Sequence, residues 1–168
     1  MPSFVEERLA FLMGHYIAEG CIGYNKQRTR STKRAQTKRL EGERVPAKLI
    51  LAFSPTEGDL RDYIERECVS IFKGCAGRKK EGNSPELVFN SIDMCLLFLL
   101  LGCGGFSKEK TVPELIFRSP LSVQASFLRG LFEGGGSAAG GAVTWCTDSR
   151  NLSDGVCSLL SAFGIHYS

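Results

Sequence analysis

A basic segment between Lys26 and Lys48 is the densest group of chemically active side chains in the sequence. It holds nine lysines and arginines and two acids, so it carries +7, whereas the other 145 residues carry −4 and the whole chain carries +3. Concentrated positive charge on a nearly neutral body attracts polyanions such as nucleic acids. A solvated charged loop is the alternative that charge alone leaves open.

The cysteines are the second group of residues with possible chemistry. They are odd in number, form no C-x-x-C pair and are accompanied by only two histidines, so a zinc site is poorly supplied. We expect free thiols of a reducing compartment, packed as small apolar side chains. The seven are Cys21, Cys68, Cys75, Cys95, Cys103, Cys146 and Cys157.

Length and composition predict a folded, soluble, cytoplasmic protein. The chain has 168 residues, of which 43% are hydrophobic, which excludes a disordered chain. The longest apolar run, Met94 to Leu101, has eight residues, and a membrane helix needs about 20. No secretory signal opens the sequence.

The first elements would place the basic segment between two strands. Apolar residues at helical spacing predict a helix over 4–20, begun by a Ser3-x-x-Glu6 capping box. Strands are predicted over Cys21–Arg30 and Ala47–Phe53, so the basic segment would connect the two strands of a hairpin.

Further elements complete a first unit of helix, strand, strand, helix, strand, strand and helix. A second capping box, Ser54 to Glu57 with proline at the first helical position, predicts a helix through Ile71. A stretch rich in glycine and lysine, 74–82, leads to a short strand around Leu87–Phe89. Residues 92–101 are apolar nearly all round, which predicts a buried helix.

The pattern then restarts in a shorter second unit. We predict a helix over 120–136 after Ser119, a strand over Ala142–Thr147, and a helix that Ser149 caps and Gly164 ends. Compared with the first unit, the second lacks two strands and a lysine block of its own.

The first helices of the two units share a decapeptide. When the two segments are aligned, Phe, Leu, Gly and the last Gly coincide, which indicates an internal repeat. Each also has small residues four apart, a spacing that lets two helices cross with their backbones nearly in contact. The segments are Phe11–Gly20 with Gly14 and Ala18, and Phe127–Gly136 with Gly130 and Gly134.

The paired decapeptides resemble the two LAGLIDADG (dodecapeptide, DOD-type) motifs of homing endonucleases, particularly those embedded in inteins. Two more blocks agree in order: Lys108–Pro113 is similar to the Lys-x-x-Pro block before the second motif, and Leu159–Ile165 to the helix end after it. The resemblance covers essentially the whole chain.

This resemblance implies an α+β fold of two αββαββα halves around a pseudo-twofold axis, with saddle-shaped antiparallel sheets. The halves would be residues 1–105 and a truncated second half, 106–168, which includes the lysine block. The implied protein is a monomeric pseudo-dimer whose β-ribbons bind double-stranded DNA in the major groove, with no membrane partner. The implied DNA contacts are Lys26, Arg28, Arg30, Lys33, Arg34, Lys38, Arg39 and Lys48.

The resemblance also implies a Mg²⁺ (or Mn²⁺) site between the two motif ends, with one acid from each helix. Glu19 occupies the acid position of the first motif, whereas Gly135 occupies it in the second and offers only a backbone carbonyl. Lys110 matches the active-site lysine. Glu133, two residues before Gly135, would point about 200° away around the helix and is a poor substitute.

Each of these assignments has an ordinary structural alternative. Glu19 would then be a surface acid at a helix end, Lys110 a solvated lysine and His15 a satisfied histidine of a helix interface. The cluster Gly134–Gly136 follows a helix and precedes no Gly-Lys-Ser/Thr, so it is not a phosphate loop.

The function predicted from the sequence is therefore a homing endonuclease domain with impaired cleavage. A catalytically inactive protein of the same fold, an RNA maturase or a DNA-binding regulator, is the alternative, followed by a scaffold that binds no nucleic acid. Intein splicing itself is not expected, because the sequence has neither a nucleophilic first residue nor a terminal His-Asn.

Overall fold

A computed structural model describes residues 6–26, 44–104 and 106–167. Its elements alternate helices with pairs of strands, as the sequence predicts. In chain order they are α1 (Glu7–Glu19), β1 (Gly20–Lys26), β2 (Arg44–Ala52), α2 (Gly58–Ile71), β3 (Gly77–Lys80), β4 (Glu86–Phe89), α3 (Ile92–Leu100), α4 (Glu114–Phe117), α5 (Leu121–Gly135), β5 (Gly136–Ala139), β6 (Ala142–Trp145) and α6 (Arg150–Ala162).

The first four strands form one antiparallel sheet in the order β1-β2-β4-β3. Gly20 pairs with Leu51 at one end of the β1–β2 ladder, and Lys26 pairs with Arg44 at the other. The register shifts between Gly23 and Tyr24, where Ala47 of β2 has no partner, which is a β-bulge beside Pro46. The predicted hairpin is therefore present, and residues 27–43 of the basic segment lie outside the described residues.

Helices α1 and α5 cross at their glycines with the two backbones in direct contact. A Cβ atom added to Gly14 would overlap the carbonyl oxygen of Phe127 and lie 2.8 Å from the Leu131 nitrogen. One added to Gly130 would overlap the Phe11 carbonyl in the same way. The helix crossing predicted from the repeated small residues is confirmed.

The core surrounds this crossing. Apolar side chains of α1 and α5 pack with the inner face of the sheet and with α2, α3 and α6. The largest side chains with less than 2% exposure include Tyr16, Phe89, Phe98 and Phe127. Burial of such side chains contributes about 1.5–3 kcal/mol each, so this core is a main source of the stability of the fold.

Two predictions about helices are wrong. Helix α3 is not buried all round: it packs on β2 through Met94, Cys95 and Phe98, but Leu100 is 84% exposed. Helix α2 begins at Gly58 rather than at Pro55, and residues 54–57 form a turn before it. One bond of the predicted capping box is present in this turn, since the Glu57 carboxylate accepts a hydrogen bond from the Ser54 backbone N–H at 2.7 Å. Ser3 of the first capping box lies outside the described residues.

Two strands were counted in the predicted units, but the sequence did not locate them. Strand β3 lies inside the stretch 74–82, for which no strand bounds were predicted. Strand β5 has the sequence Gly-Ser-Ala-Ala, without a β-branched or aromatic residue, and pairs with β6 in a separate two-stranded sheet. The cap of α6 is confirmed, since Ser149 Oγ accepts a hydrogen bond from the Leu152 nitrogen at 3.3 Å.

The cysteines are free thiols in the structure, as predicted. Cys68, Cys95 and Cys103 are buried in the core, whereas Cys21 and Cys146 are exposed. Among the described residues, no helix has the length and apolar character required to cross a membrane.

We expect Gly14→Ala to destabilise the protein, although alanine is the better helix former by about 1 kcal/mol. The new methyl group meets backbone atoms that cannot rotate away, so α1 and α5 must separate. The expected loss is about 3 kcal/mol of unfolding free energy, or on the order of 10 °C in Tm, measured by thermal and urea denaturation.

Gly58→Ala is the matched control, because a Cβ atom at this helical glycine would have no atom within 4 Å. We expect its Tm to equal or slightly exceed that of the wild type. Equal Tm values for the two variants would contradict the close backbone contact.

Candidate active site at the paired helix ends

The crossing continues to the C-terminal ends of α1 and α5, which lie side by side. A Cβ atom at Gly134 would be 2.8 Å from Ala18 Cβ, so the second pair of small residues also keeps the helices together. Helix α1 ends with Glu19 before Gly20, and α5 ends with Gly135 before Gly136. Glu19 and Gly135, which the repeat aligns with each other, therefore lie at neighbouring helix ends.

A cavity of about 320 Å³ opens at these helix ends. It is bordered by both aligned positions, by the segment that follows α3 and by the turn between β6 and α6. Its polar lining includes Glu19, Ser107, Lys110, Trp145, Cys146 and Asp148. The predicted site residues Glu19, Lys110 and Gly135 therefore share one cavity.

Glu19 is half-buried at the C-terminal end of α1. Burial raises the pKa of its carboxyl group, the positive charge of Lys110 opposes that rise, and the negative charge of Glu57 adds to it. The negative end of the helix dipole also disfavours a carboxylate there. A cation in the cavity would offset these costs.

Lys110 is only 5% exposed, so the alternative of an ordinary solvated lysine is wrong. Its Nζ donates hydrogen bonds to the backbone carbonyls of Gly20 at 2.8 Å and Tyr16 at 3.3 Å, and it lies over the Tyr16 ring. Burial lowers the pKa of this amine, and nearby Cys21 and Glu19 oppose the shift. The ammonium group thus caps the end of α1 beside Glu19.

Gly135 leaves the second motif without a carboxylate, and an indole occupies part of the space beside it. A Cβ atom at this position would be 3.2 Å from Trp145 Nε1 and 3.7 Å from Ala18 Cβ. A side chain at position 135 would therefore fit after a small shift of Trp145. Glu133 does not border the cavity: it is exposed and pairs with Arg129 at 3.6 Å.

His15 lies one turn before Glu19 in the interface between α1 and α5. It stacks on Phe53 with ring centroids 5.2 Å apart, and neither ring nitrogen has a hydrogen-bond partner among the described residues. Burial lowers its pKa to about 4. His15 is therefore a neutral residue of the helix interface, and its two ring nitrogens have no hydrogen-bond partner in the part of the chain that the structure describes.

The outer face of the first sheet carries basic side chains. Leu49 and Leu51 of β2 point into the core, so Lys48 points outward, and its side chain crosses Gly23 of β1. In the sheet register, Arg78 of β3 lies in line with Val88 and Ile50 on that outer face. We call the side of the sheet that carries Lys48, Ile50, Val88 and Arg78 the outer sheet face.

Lys79 shows the opposite orientation. Its Nζ forms ion pairs with Asp62 at 2.8 Å and Glu65 at 3.1 Å, both on α2, which covers the inner face of the sheet. The sequence analysis missed Arg78, although its Gly-Arg-Lys-Lys context and alternation could have indicated it. Of the predicted DNA contacts, Lys26 has a described backbone only, and Arg28, Arg30, Lys33, Arg34, Lys38 and Arg39 lie outside the described residues.

The donor atoms of the cavity suit a divalent cation that takes further ligands from its substrate. Among the described residues, no three His, Cys, Asp or Glu side chains converge as a closed metal site. Mg²⁺ typically binds one or two carboxylates, several waters and substrate phosphates. One half-buried carboxylate, Glu19, beside a fixed ammonium group meets that requirement.

Comparisons with known proteins define the class. Residues 122–168 match the family described as LAGLIDADG-like domain, and no curated protein matches the chain. The chain has the LAGLIDADG homing endonuclease fold, an α+β fold with antiparallel sheets, and the LAGLIDADG resemblance predicted from its sequence is confirmed by the match over residues 122–168. Its association with inteins stays a prediction.

The similar solved structures include three of I-DmoI. A structure of I-DmoI in complex with DNA and Mn is 14% identical, covers 96% of this chain and 80% of that chain, and has a TM-score of 0.69. The complex with DNA and Ca is 13% identical, covers 94% of this chain and 72% of that chain, and has a TM-score of 0.64. A structure of mesophilic variants of I-DmoI is 14% identical, covers 94% of this chain and 77% of that chain, and has a TM-score of 0.67.

We expect His15 to make stability fall in acid. Its folded pKa of about 4 is below the ordinary 6.5, so the unfolded chain binds the proton first, and stability is lost as the pH falls from about 6.5 towards 4. Between about pH 7.5 and about pH 4.5 the loss from this group is roughly 2.5 kcal/mol. Urea denaturation of wild type and His15→Leu at both pH values measures it.

The leucine variant should lose less stability in acid than the wild type does, by about that amount. His166→Leu is the control, because His166 is exposed near the end of the chain. Parallel pH profiles for wild type and His15→Leu would contradict the neutral, buried state of His15.

Proposed function

We propose that this chain is a site-specific homing endonuclease domain, of the kind associated with inteins, that binds double-stranded DNA and hydrolyses phosphodiester bonds with Mg²⁺ or Mn²⁺. The observation that carries the proposal is the meeting of Glu19, Lys110 and Gly135 in one cavity at the ends of the crossed helices. The similar I-DmoI structures contain DNA with Mn or Ca, which supports the same partners here.

Glu19 would hold the cation. Its carboxylate is partly removed from water at a helix end, so a positive ligand stabilises its charged form. When bound, a divalent cation activates water and stabilises the leaving oxygen of the phosphodiester. Gly135 would contribute at most its backbone carbonyl to this site.

Lys110 would supply fixed positive charge to the phosphate. Two backbone carbonyls of α1 hold its ammonium group in place, so it cannot move away when a phosphate enters. Preorganised charge of this kind stabilises the extra negative charge that develops during hydrolysis. Because the amine also caps α1, its charge contributes both to the helix end and to the site.

DNA would lie along the outer sheet face. A β-ribbon fits the major groove, and the predicted contacts belong to β1, to β2 or to the segment 27–43 that connects these two strands in the sequence. Residues 1–105 and 106–168 would act as the two halves of a monomeric pseudo-dimer. The second half would bind less DNA, because its described sheet has two strands and the first has four.

We further propose that cleavage is impaired. Loss of the second acid at Gly135 removes a metal ligand, and even changes in the groups behind metal ligands typically cost 10–100-fold in affinity or activity. The same observation favours the alternative function, a catalytically inactive protein of this fold, either an RNA maturase or a DNA-binding regulator. The contact between position 135 and Trp145 is compatible with an impaired nuclease and with an inactive protein of this fold.

The first test is DNA cleavage by variants of the two aligned positions. Duplexes are enriched from a randomised pool by binding to the wild type and then incubated with protein and Mg²⁺. Gly135→Asp adds the second carboxylate, so we expect cleavage to rise by about 10-fold or more. Glu19→Gln removes the first, so we expect cleavage to fall by a similar factor while binding persists.

Glu133→Gln is the matched control, since Glu133 lies on α5 but outside the cavity. Equal cleavage by wild type, Gly135→Asp and Glu19→Gln would exclude the two-acid mechanism. Absence of cleavage by every variant, with tight binding to structured RNA, would favour the maturase alternative.

The second test concerns DNA binding by the outer sheet face. We expect Arg78→Ala to weaken binding and to reduce the slope of log affinity against log salt by about 1, as the loss of one phosphate contact does. Fluorescence anisotropy at several salt concentrations measures both values. Lys79→Ala removes one positive charge from the inner face of the sheet and should change the salt slope less. Equal changes of the salt slope in Arg78→Ala and Lys79→Ala would contradict DNA binding by the outer sheet face.

A further inference from the structure

The turn between β6 and α6 forms part of the cavity wall and carries an acid that the sequence analysis did not select. Asp148 borders the same cavity as Glu19 and Lys110. It is exposed, and it forms no ion pair within the described residues. Its carboxylate is therefore free to meet a ligand from solvent.

Hydrogen bonds fix this turn beside the segment that carries Lys110. Thr147 Oγ1 accepts a bond from the Ser149 backbone nitrogen at 3.1 Å, so the turn closes around Asp148. The buried Ser149 hydroxyl donates to the backbone carbonyl of Lys110 at 2.7 Å. Asp148 and Lys110 are thus held at one end of the cavity by the same serine.

The environment of Asp148 suits a carboxylate better than that of position 135. Asp148 directly precedes Ser149, the N-cap of α6, where the positive end of the helix dipole favours negative charge. Position 135 is the last residue of α5, where the dipole disfavours it. An acid in the turn thus avoids a cost that an acid at the motif end would have.

The buried Lys110 also borders this cavity. An ammonium group has three N–H donors, and the described residues supply two acceptors to Lys110, both backbone carbonyls. Lys110 borders the cavity and is 5% exposed, and the two carbonyls leave one of its three N–H donors without an acceptor among the described residues. A phosphate oxygen, brought together with a cation, would satisfy that donor.

We propose that Asp148 supplies a second carboxylate to this site, so that a cation is bound there although position 135 has no acid and cleavage is impaired. With Glu19 it holds a divalent cation in the cavity, either directly or through bound water, while Lys110 faces the phosphate. Two carboxylates with waters and phosphate oxygens form a complete ligand set for Mg²⁺, which does not require three protein side chains. This inference rests on the proposed function, because it concerns the same cation.

Binding of Tb³⁺ tests the inference without DNA or cleavage. Tb³⁺ binds oxygen ligands and emits when a nearby tryptophan is excited, and Trp145, the single tryptophan of the chain, borders the cavity. We expect titration of the full chain to show one saturable site that Mn²⁺ competes for. Asp148→Asn and Glu19→Gln should each raise the Tb³⁺ dissociation constant by about 10–100-fold.

Asp154→Asn is the matched control, because Asp154 lies on α6 and pairs with Arg150 rather than bordering the cavity. Its dissociation constant should equal that of the wild type. Adding Gly135→Asp to Asp148→Asn should restore most of the lost affinity if the two positions serve the same purpose. Circular dichroism and Tm establish that each variant is folded.

The possible failures are distinguishable. Wild-type affinity in Asp148→Asn, with weakened binding in Glu19→Gln, would overturn the inference and leave the proposed function intact. Wild-type affinity in both variants would place the cation elsewhere and overturn the proposed site as well.

Discussion

The close contact between the backbones of α1 and α5 is the constraint on which the rest of the molecule depends. Gly14 and Gly130 permit it because any side chain at either position would overlap a carbonyl of the other helix. The contact sets the distance between the helix ends and therefore places positions 19 and 135 in one cavity. It also removes His15 from water, so we expect the same packing that forms the site to lower stability in acid.

The cavity holds a carboxylate at a helix end where the dipole disfavours it, and beside it an ammonium group that the same dipole favours. Glu19 and Lys110 are both partly or largely removed from water, and each stabilises the charged form of the other. Lys110 additionally neutralises the carbonyl end of α1, so its burial is compensated by two hydrogen bonds. With one carboxylate fewer at the motif ends, the site depends more on Glu19 and on the turn that carries Asp148.

The small residues of the repeated decapeptide predicted the helix crossing, whereas the fold and the pairing of positions 19 and 135 were implied by its resemblance to the LAGLIDADG motifs. Local patterns failed where tertiary contacts decide. Leu100 gave α3 the composition of a buried helix, yet only one face of α3 packs on β2. Trp145 and Asp148 border the site through a turn whose position depends on a hydrogen bond to the distant Lys110 carbonyl, which no local pattern reveals.

Anomalous diffraction from crystals of the full chain grown with a bound duplex and Mn²⁺ would test the central claim most directly. The claim is that the crossed helices place a cation site beneath DNA carried by the outer sheet face. It predicts an anomalous peak in the cavity within coordination distance of a Glu19 carboxylate oxygen and of a phosphate oxygen. A cavity without Mn²⁺, or DNA bound on another face of the molecule, would contradict it.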